Sequence, residues 1–192
     1  MKKRVDLPEK KYEGYIFDLD GTLVDSMPLH YRAWREALAR AGAPDHVFRA
    51  DEFYSCGGKS ANDVVRFLNE RYGMHMDAAS TAADKRRIYL EMLEKEGMQP
   101  IREVVEFVHS LGDAPKAIAT GSAMPGASRT LAAAGLSGLF DVILTPDEVE
   151  HGKPAPDMFL KAAELLGVSP DRCVVFEDAE PGMKAAAAAG MD

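Results

Sequence analysis

The stretch YIFDLDGTLVDS, Tyr15 to Ser26, opens on three apolar, strand-prone residues, sets Asp18 and Asp20 on either side of Leu19, and follows them with Gly21. A short apolar run closed by turn-forming residues reads as a buried strand. Gly21 permits the sharp turn that presents both carboxylates at that strand's carboxyl end. Three runs of the same kind follow, at Lys116 to Thr120, Asp141 to Leu144 and Cys173 to Phe176. Helical patterns separate them. Ile101, Val104, Val105, Val108 and Leu111 share one helical face, as do Met158, Phe159, Ala162, Ala163 and Leu166 behind Pro156. This alternation predicts an α/β fold with a doubly wound parallel sheet and helices on its faces.

Between Asp25 and about Gly97 the strand signals vanish. Helical stretches take over at Pro28 to Ala41, Ser60 to Tyr72 and Asp77 to Glu96. The first has Pro28 near its start, Leu29, Ala33, Ala37 and Ala41 four residues apart, and Gly42 as its stop. The expected organisation is a catalytic core of residues 12–26 and 98–192 with a helical cap, residues 27–97, inserted into it. The linkers are expected near Ser26 to Met27 and Gly97 to Pro100.

The chain has 192 residues, 46% hydrophobic and 28% charged, which is the balance of an ordinary globular protein. Its net charge of -8 repels nucleic acids and anionic membranes, so neither is expected as a partner. Lys2, Lys3 and Arg4 are followed by Asp6, Pro8 and Glu9 where an export signal needs an apolar run, and the expected location is the cytoplasm. The two cysteines, Cys56 and Cys173, make neither a disulfide framework nor a zinc spacing. Oligomeric state leaves no mark in the sequence.

The chemistry gathers at strand ends. Two neighbouring acids such as Asp18 and Asp20 can divide their work: one attacks phosphorus, and the other, its pKa raised by its neighbour, protonates the leaving oxygen. Taken alone, the pair equally fits a polar turn that ends a strand. Thr120, Gly121 and Ser122 offer hydroxyls and close backbone N–H groups at the next strand end, and also fit an ordinary strand-to-helix turn. Lys153 stands before Pro154, which biases it to an extended backbone from which its ammonium can reach a phosphate; a solvated lysine is the plainer reading. Glu177 and Asp178 close the last apolar run. Hard oxygen donors there suit Mg2+, held by Asp18, the backbone oxygen of Asp20, Asp178, substrate phosphate and water, with Glu177 joining directly or through water. The plainer reading is a cap for the next helix.

Taken together, the segments DLDGTLVDS (18–26), ATGS (119–122), GKPAPD (152–157) and VVFEDAEPGMKAAAAAGM (174–191) resemble the four signature motifs of haloacid dehalogenase superfamily hydrolases, whose core is Rossmann-like. The match spans all but about the first twelve residues. The run HYRAWREAL (30–38) and the helical cap resemble the beta-phosphoglucomutase-like and fructose-1-phosphate phosphatase-like branch. The resemblance implies Asp18 as nucleophile, Asp20 as acid and then base, Thr120 and Lys153 as phosphate ligands, and Asp18, Asp20 and Asp178 as magnesium ligands. It also implies a small phosphorylated metabolite, a sugar phosphate, as substrate.

The run GGKS, Gly57 to Ser60, imitates a nucleotide-binding loop, but Phe53 stands where such a loop needs its first glycine. In the resembled family the corresponding cap turn contacts substrate, which makes Lys59 a specificity candidate. Relatives usually continue past the fourth motif into a further strand, whereas this chain stops at Asp192, so a less complete sheet edge is expected. The reading that follows is a phosphomonoester hydrolase acting through an aspartyl phosphate. Its alternatives are a phosphosugar mutase and a catalytically silent binding protein on the same fold. Thr22, which follows the acid-bearing turn as in many phosphatases of the superfamily, tilts the choice towards hydrolysis.

Overall fold

The computed structural model of the chain describes residues 10–56 and 59–192. Along the chain the elements are β1 (Gly14–Phe17), α1 (Met27–Arg40), α2 (Ala50–Ser55), α3 (Ala61–Tyr72), α4 (Ala78–Glu96), α5 (Arg102–Ser110), β2 (Lys116–Ala119), α6 (Met124–Ala133), β3 (Val142–Leu144), α7 (Asp157–Leu166), β4 (Cys173–Phe176) and α8 (Glu180–Ala188). They form two compact units, one of Met1–Asp25 with Met98–Asp192 and the other of Ser26–Gly97.

The first unit is built on a sheet of four strands in the order β3-β2-β1-β4. All of its pairings are parallel, with Phe17 opposite Ile118 on one side and Phe176 on the other. Because successive strand residues point to opposite faces, β1 serves two cores. Ile16 joins Ala117, Ala119 and Leu144 under Met158, Phe159 and Ala162 of α7 and Ala185 of α8. Tyr15 and Phe17 point the other way. There Phe17 stacks on Phe176 with centroids 4.5 Å apart, and both residues meet Phe107 of α5 edge-on or tilted. Continuous apolar strands of this kind belong to parallel sheets covered on both faces.

The chain runs outward from β1 through β2 to β3 and then crosses back to place β4 on β1's other side. The strand order therefore reverses between β1 and β4, and open α/β sheets bind ligands beyond the carboxyl ends of the strands at such a point. β4 is an edge strand, and the Val175 N–H on that edge donates to the carbonyl of Asp192 at 2.8 Å.

Among the described residues, every element of the second unit is a helix. Trp34 and Leu38 of α1, Phe48, Phe53 of α2, and Val64, Val65 and Leu68 of α3 form its apolar cluster. Ser60 caps α3 by accepting from the Asp63 N–H, Asp77 caps α4 by accepting from the Ser80 N–H, and Gly73 ends α3 in the left-handed region. α2 has no counterpart in the sequence reading. It is six residues long and buries only Phe53, so it carries no periodic signal and is held by tertiary packing. No helix among the described residues is long and apolar enough to cross a membrane.

Candidate active site

The ends of β1 and β4 are tied to each other by the Asp18 N–H, which donates to the Phe176 carbonyl at 2.9 Å. Beyond Asp18 the chain turns tightly. Leu23 and Val24 N–H groups return to the Leu19 carbonyl, and Gly21 adopts a φ of +92° that disfavours any residue with a Cβ. A Cβ at Gly21 would also stand 2.4 Å from Asp178 Oδ2, so the glycine is required twice, by the turn and by the acid packed on it.

Lys153 is the hub of the site. Its ammonium donates to Asp18 Oδ1 at 2.7 Å, to Glu177 Oε2 at 2.7 Å and to the Ala119 carbonyl at 2.9 Å, which engages all three of its protons. It also stands over the Phe159 ring, 5.1 Å from the centroid. The Lys153, Asp18 and Glu177 side chains are 7%, 9% and 5% exposed, so their charges interact through protein more than through water. Glu177 Oε1 accepts from the Ala179 N–H at 3.1 Å. Asp178 Oδ1 accepts from the Thr22 hydroxyl at 3.1 Å.

Burial pushes the Asp18 carboxyl up to about 8; Glu177 and Asp20 push the same way, and the Lys153 ammonium opposes them. Burial also raises Asp178, against the Thr22 hydrogen bond. For Lys153, burial works to lower the pKa, but the pull of Asp18 and Glu177 is stronger and the ammonium is held above its ordinary range. Asp18, Glu177 and Asp178 each bring a carboxylate oxygen within 4.8 Å of the others, with one ammonium among them. The excess of carboxyl groups over the single ammonium and the all-oxygen donor set fit a hard divalent cation.

On the far side of Asp18, Ser122 donates from Oγ to Asp20 Oδ2 at 2.6 Å, and its N–H donates to Thr120 Oγ1 at 3.0 Å. Acid pair, hydroxyl turn, lysine and second acid pair thus meet at one sheet edge. A model of the haloacid dehalogenase-like hydrolase family matches residues 12–190.

The chain belongs to the haloacid dehalogenase-like hydrolase family. This hydrolase is 38% identical to a fructose-1-phosphate phosphatase of Escherichia coli (strain K12), over 95% of both chains. It is 35% identical to a beta-phosphoglucomutase of Mycobacterium bovis, over 93% of this chain and 78% of that protein. Among solved structures, CbbY from Rhodobacter sphaeroides in complex with xylulose-(1,5)-bisphosphate superposes with a TM-score of 0.82 at 26% identity, covering 94% of this chain and 84% of that one.

The remaining residues singled out in the sequence are placed as follows. Thr120 lies one residue past β2 and is fully buried, its hydroxyl oxygen turned to Ser122. Gly121 is exposed in the turn that follows. Lys59 belongs to the helical unit, where it is exposed with its ammonium 5.8 Å from the centre of the Phe67 ring. Gly57 and Gly58 of the GGKS run lie outside the described residues. Two contacts of the hydrolase's site were not foreseen in the sequence reading, Thr22 as the partner of Asp178 and Gly182 packed against Glu177. Thr22 sits in the quoted DLDGTLVDS run, but its partner is 156 residues away and no local pattern points to it.

Proposed function

We propose that this hydrolase releases inorganic phosphate from a small sugar phosphate, with Asp18 as the nucleophile and magnesium as its cofactor. The observation that carries the reading is the buried hub at Lys153, which fixes the Asp18 carboxylate at the sheet's switch point beside two further acids. Asp18, Asp178 and the backbone oxygen of Asp20 would hold the magnesium, with Glu177 completing the acidic cluster. When bound, the ion neutralises charge on the acids and on the phosphoryl oxygens.

Lys153 holds the Asp18 rotamer through Oδ1 and opposes the upward push of burial, which favours the ionised form that attack requires. An Asp18 oxygen forms a bond to phosphorus as the bond from phosphorus to the sugar oxygen breaks, and Asp20 gives the leaving oxygen its proton. Asp20, now a carboxylate, takes a proton from water as that water attacks the aspartyl phosphate; phosphate leaves and Asp18 is restored. Ser122 orients Asp20 for both transfers through its hydrogen bond to Oδ2. Lys153 can exchange the Ala119 carbonyl for a phosphoryl oxygen as substrate arrives. Thr120, Gly121 and Ser122 line the phosphate's side of the site in this reading, and Lys59 contributes to recognition of the sugar.

A mutase would differ only in offering a sugar hydroxyl in place of water. The higher identity and fuller coverage of the fructose-1-phosphate phosphatase support hydrolysis. The test is a panel of phosphorylated sugars, fructose 1-phosphate and glucose 1-phosphate among them, incubated with magnesium and assayed for free phosphate. Phosphate release that excess chelator abolishes is expected. Glucose 6-phosphate forming from glucose 1-phosphate and its bisphosphate activator faster than phosphate appears would contradict it.

A further inference from the structure

The segment EPGMKAAAA that forms α8 breaks its own pattern at Gly182. Positions 185 to 188 are all alanine, the best helix former, yet a glycine stands in the first turn, where it is buried and where alanine would hold the helix better. Its conformation gives no reason for it, since the residue is helical and has no positive φ. The reason is what lies over it. A Cβ at 182 would stand 2.0 Å from Glu177 Oε2, 2.1 Å from Cδ and 2.5 Å from Cγ, so the whole outer half of the Glu177 side chain occupies the space a methyl group would take. Glu177 cannot yield by a small rotation. Its Oε2 accepts from Lys153, its Oε1 accepts from the Ala179 N–H, and its side chain is 5% exposed.

We propose that Gly182 is a positioning residue for this hydrolase: the missing Cβ seats the Glu177 carboxylate, and Glu177 in turn holds Lys153 against Asp18. The inference rests on the phosphatase reading above. A local departure from good helix chemistry, compensated by placement of a charged group in the site, is the pattern expected where function overrides propensity.

A four-variant cycle tests it: wild type, Gly182→Ala, Glu177→Ala and Gly182→Ala with Glu177→Ala. The readouts are thermal midpoints without metal and kcat and KM for fructose 1-phosphate with magnesium. In the wild-type background Gly182→Ala is expected to lower the midpoint and to cut kcat by about tenfold or more, with KM moving less, because the lysine beside the nucleophile is displaced. In the Glu177→Ala background the same substitution is expected to raise the midpoint, since alanine then only improves the helix, and to leave kcat within about twofold. A folded Gly182→Ala protein with wild-type kcat, or equal effects in both backgrounds, would overturn the proposal. The reversal in thermal midpoint needs no turnover. A cycle that shows it in a protein that releases phosphate from no substrate would therefore count against the phosphatase reading and leave the seating of Glu177 standing.

Discussion

Burial raises the Asp18 carboxyl, whereas attack in the proposed mechanism needs it ionised, and the Lys153 ammonium opposes the rise. Asp18→Asn keeps the shape and both ends of the hydrogen bond to Lys153 but removes the proposed nucleophile, so turnover should fall by at least about a thousandfold while the circular dichroism spectrum is unchanged. Asp20→Asn should instead slow both chemical steps by about a hundredfold or more, because neither leaving oxygen nor water then meets an acid or base. Lys153→Met leaves Asp18 and Glu177 as buried carboxylates without their shared cation, and without metal it should cost about 3–5 kcal/mol in urea unfolding. A loss below about 1 kcal/mol would mean that the lysine behaves as a surface charge. Lys153, expected to be extended before its proline, stands in a turn, whereas the strand-end positions of Asp18, Glu177 and Asp178 were legible in the sequence because apolar runs point at them. The support from Thr22 and Gly182 was not. Each acts on a residue through the fold, and a glycine in a helix advertises only a poor propensity until the side chain above it is known.

At the scale of the element, β1, β2 and β4 were legible because strands buried on both faces are unbroken apolar runs, while their order in the sheet was not, since no local signal records which strand pairs with which. α2 escaped for the opposite reason, a single buried aromatic in six residues. The β1–β4 pairing makes a sharp packing prediction. Gly14 lies opposite Cys173, and a Cβ there would stand 2.9 Å from Cys173 Sγ and 3.3 Å from Val168, so Gly14→Ala should destabilise by about 1–3 kcal/mol. Adding Cys173→Ala should restore most of that loss in thermal unfolding; no recovery would place the strain elsewhere. Cys173 also carries a pH signature. Burial pushes its thiol from 9.0 up to about 11, so the folded chain keeps a proton that the unfolded chain has already released. The contribution to stability is therefore complete below pH 9 and is lost as pH rises towards about 11. Urea midpoints should fall more steeply over that window in wild type than in Cys173→Ala, and parallel curves would rule the effect out.

Across the whole molecule, the sheet reverses its strand order at one point, and that point collects residues from distant parts of the chain: Asp18 after β1, Ser122 after β2, Lys153 before α7, Glu177 and Asp178 after β4. A protein of net charge -8 that works on an anionic substrate has to gather positive charge locally, and Lys153 with a divalent ion is how this site would do so. The central claim is that the phosphoryl group passes through Asp18. The direct measurement is a rapid-quench experiment with magnesium and fructose 1-phosphate radiolabelled in its phosphoryl group, followed by borohydride trapping and peptide mapping. The account predicts label on Asp18 within the first turnover, chased into inorganic phosphate by unlabelled substrate. Phosphate released at full rate with no label on Asp18 at any time, or with label on another residue, would contradict it.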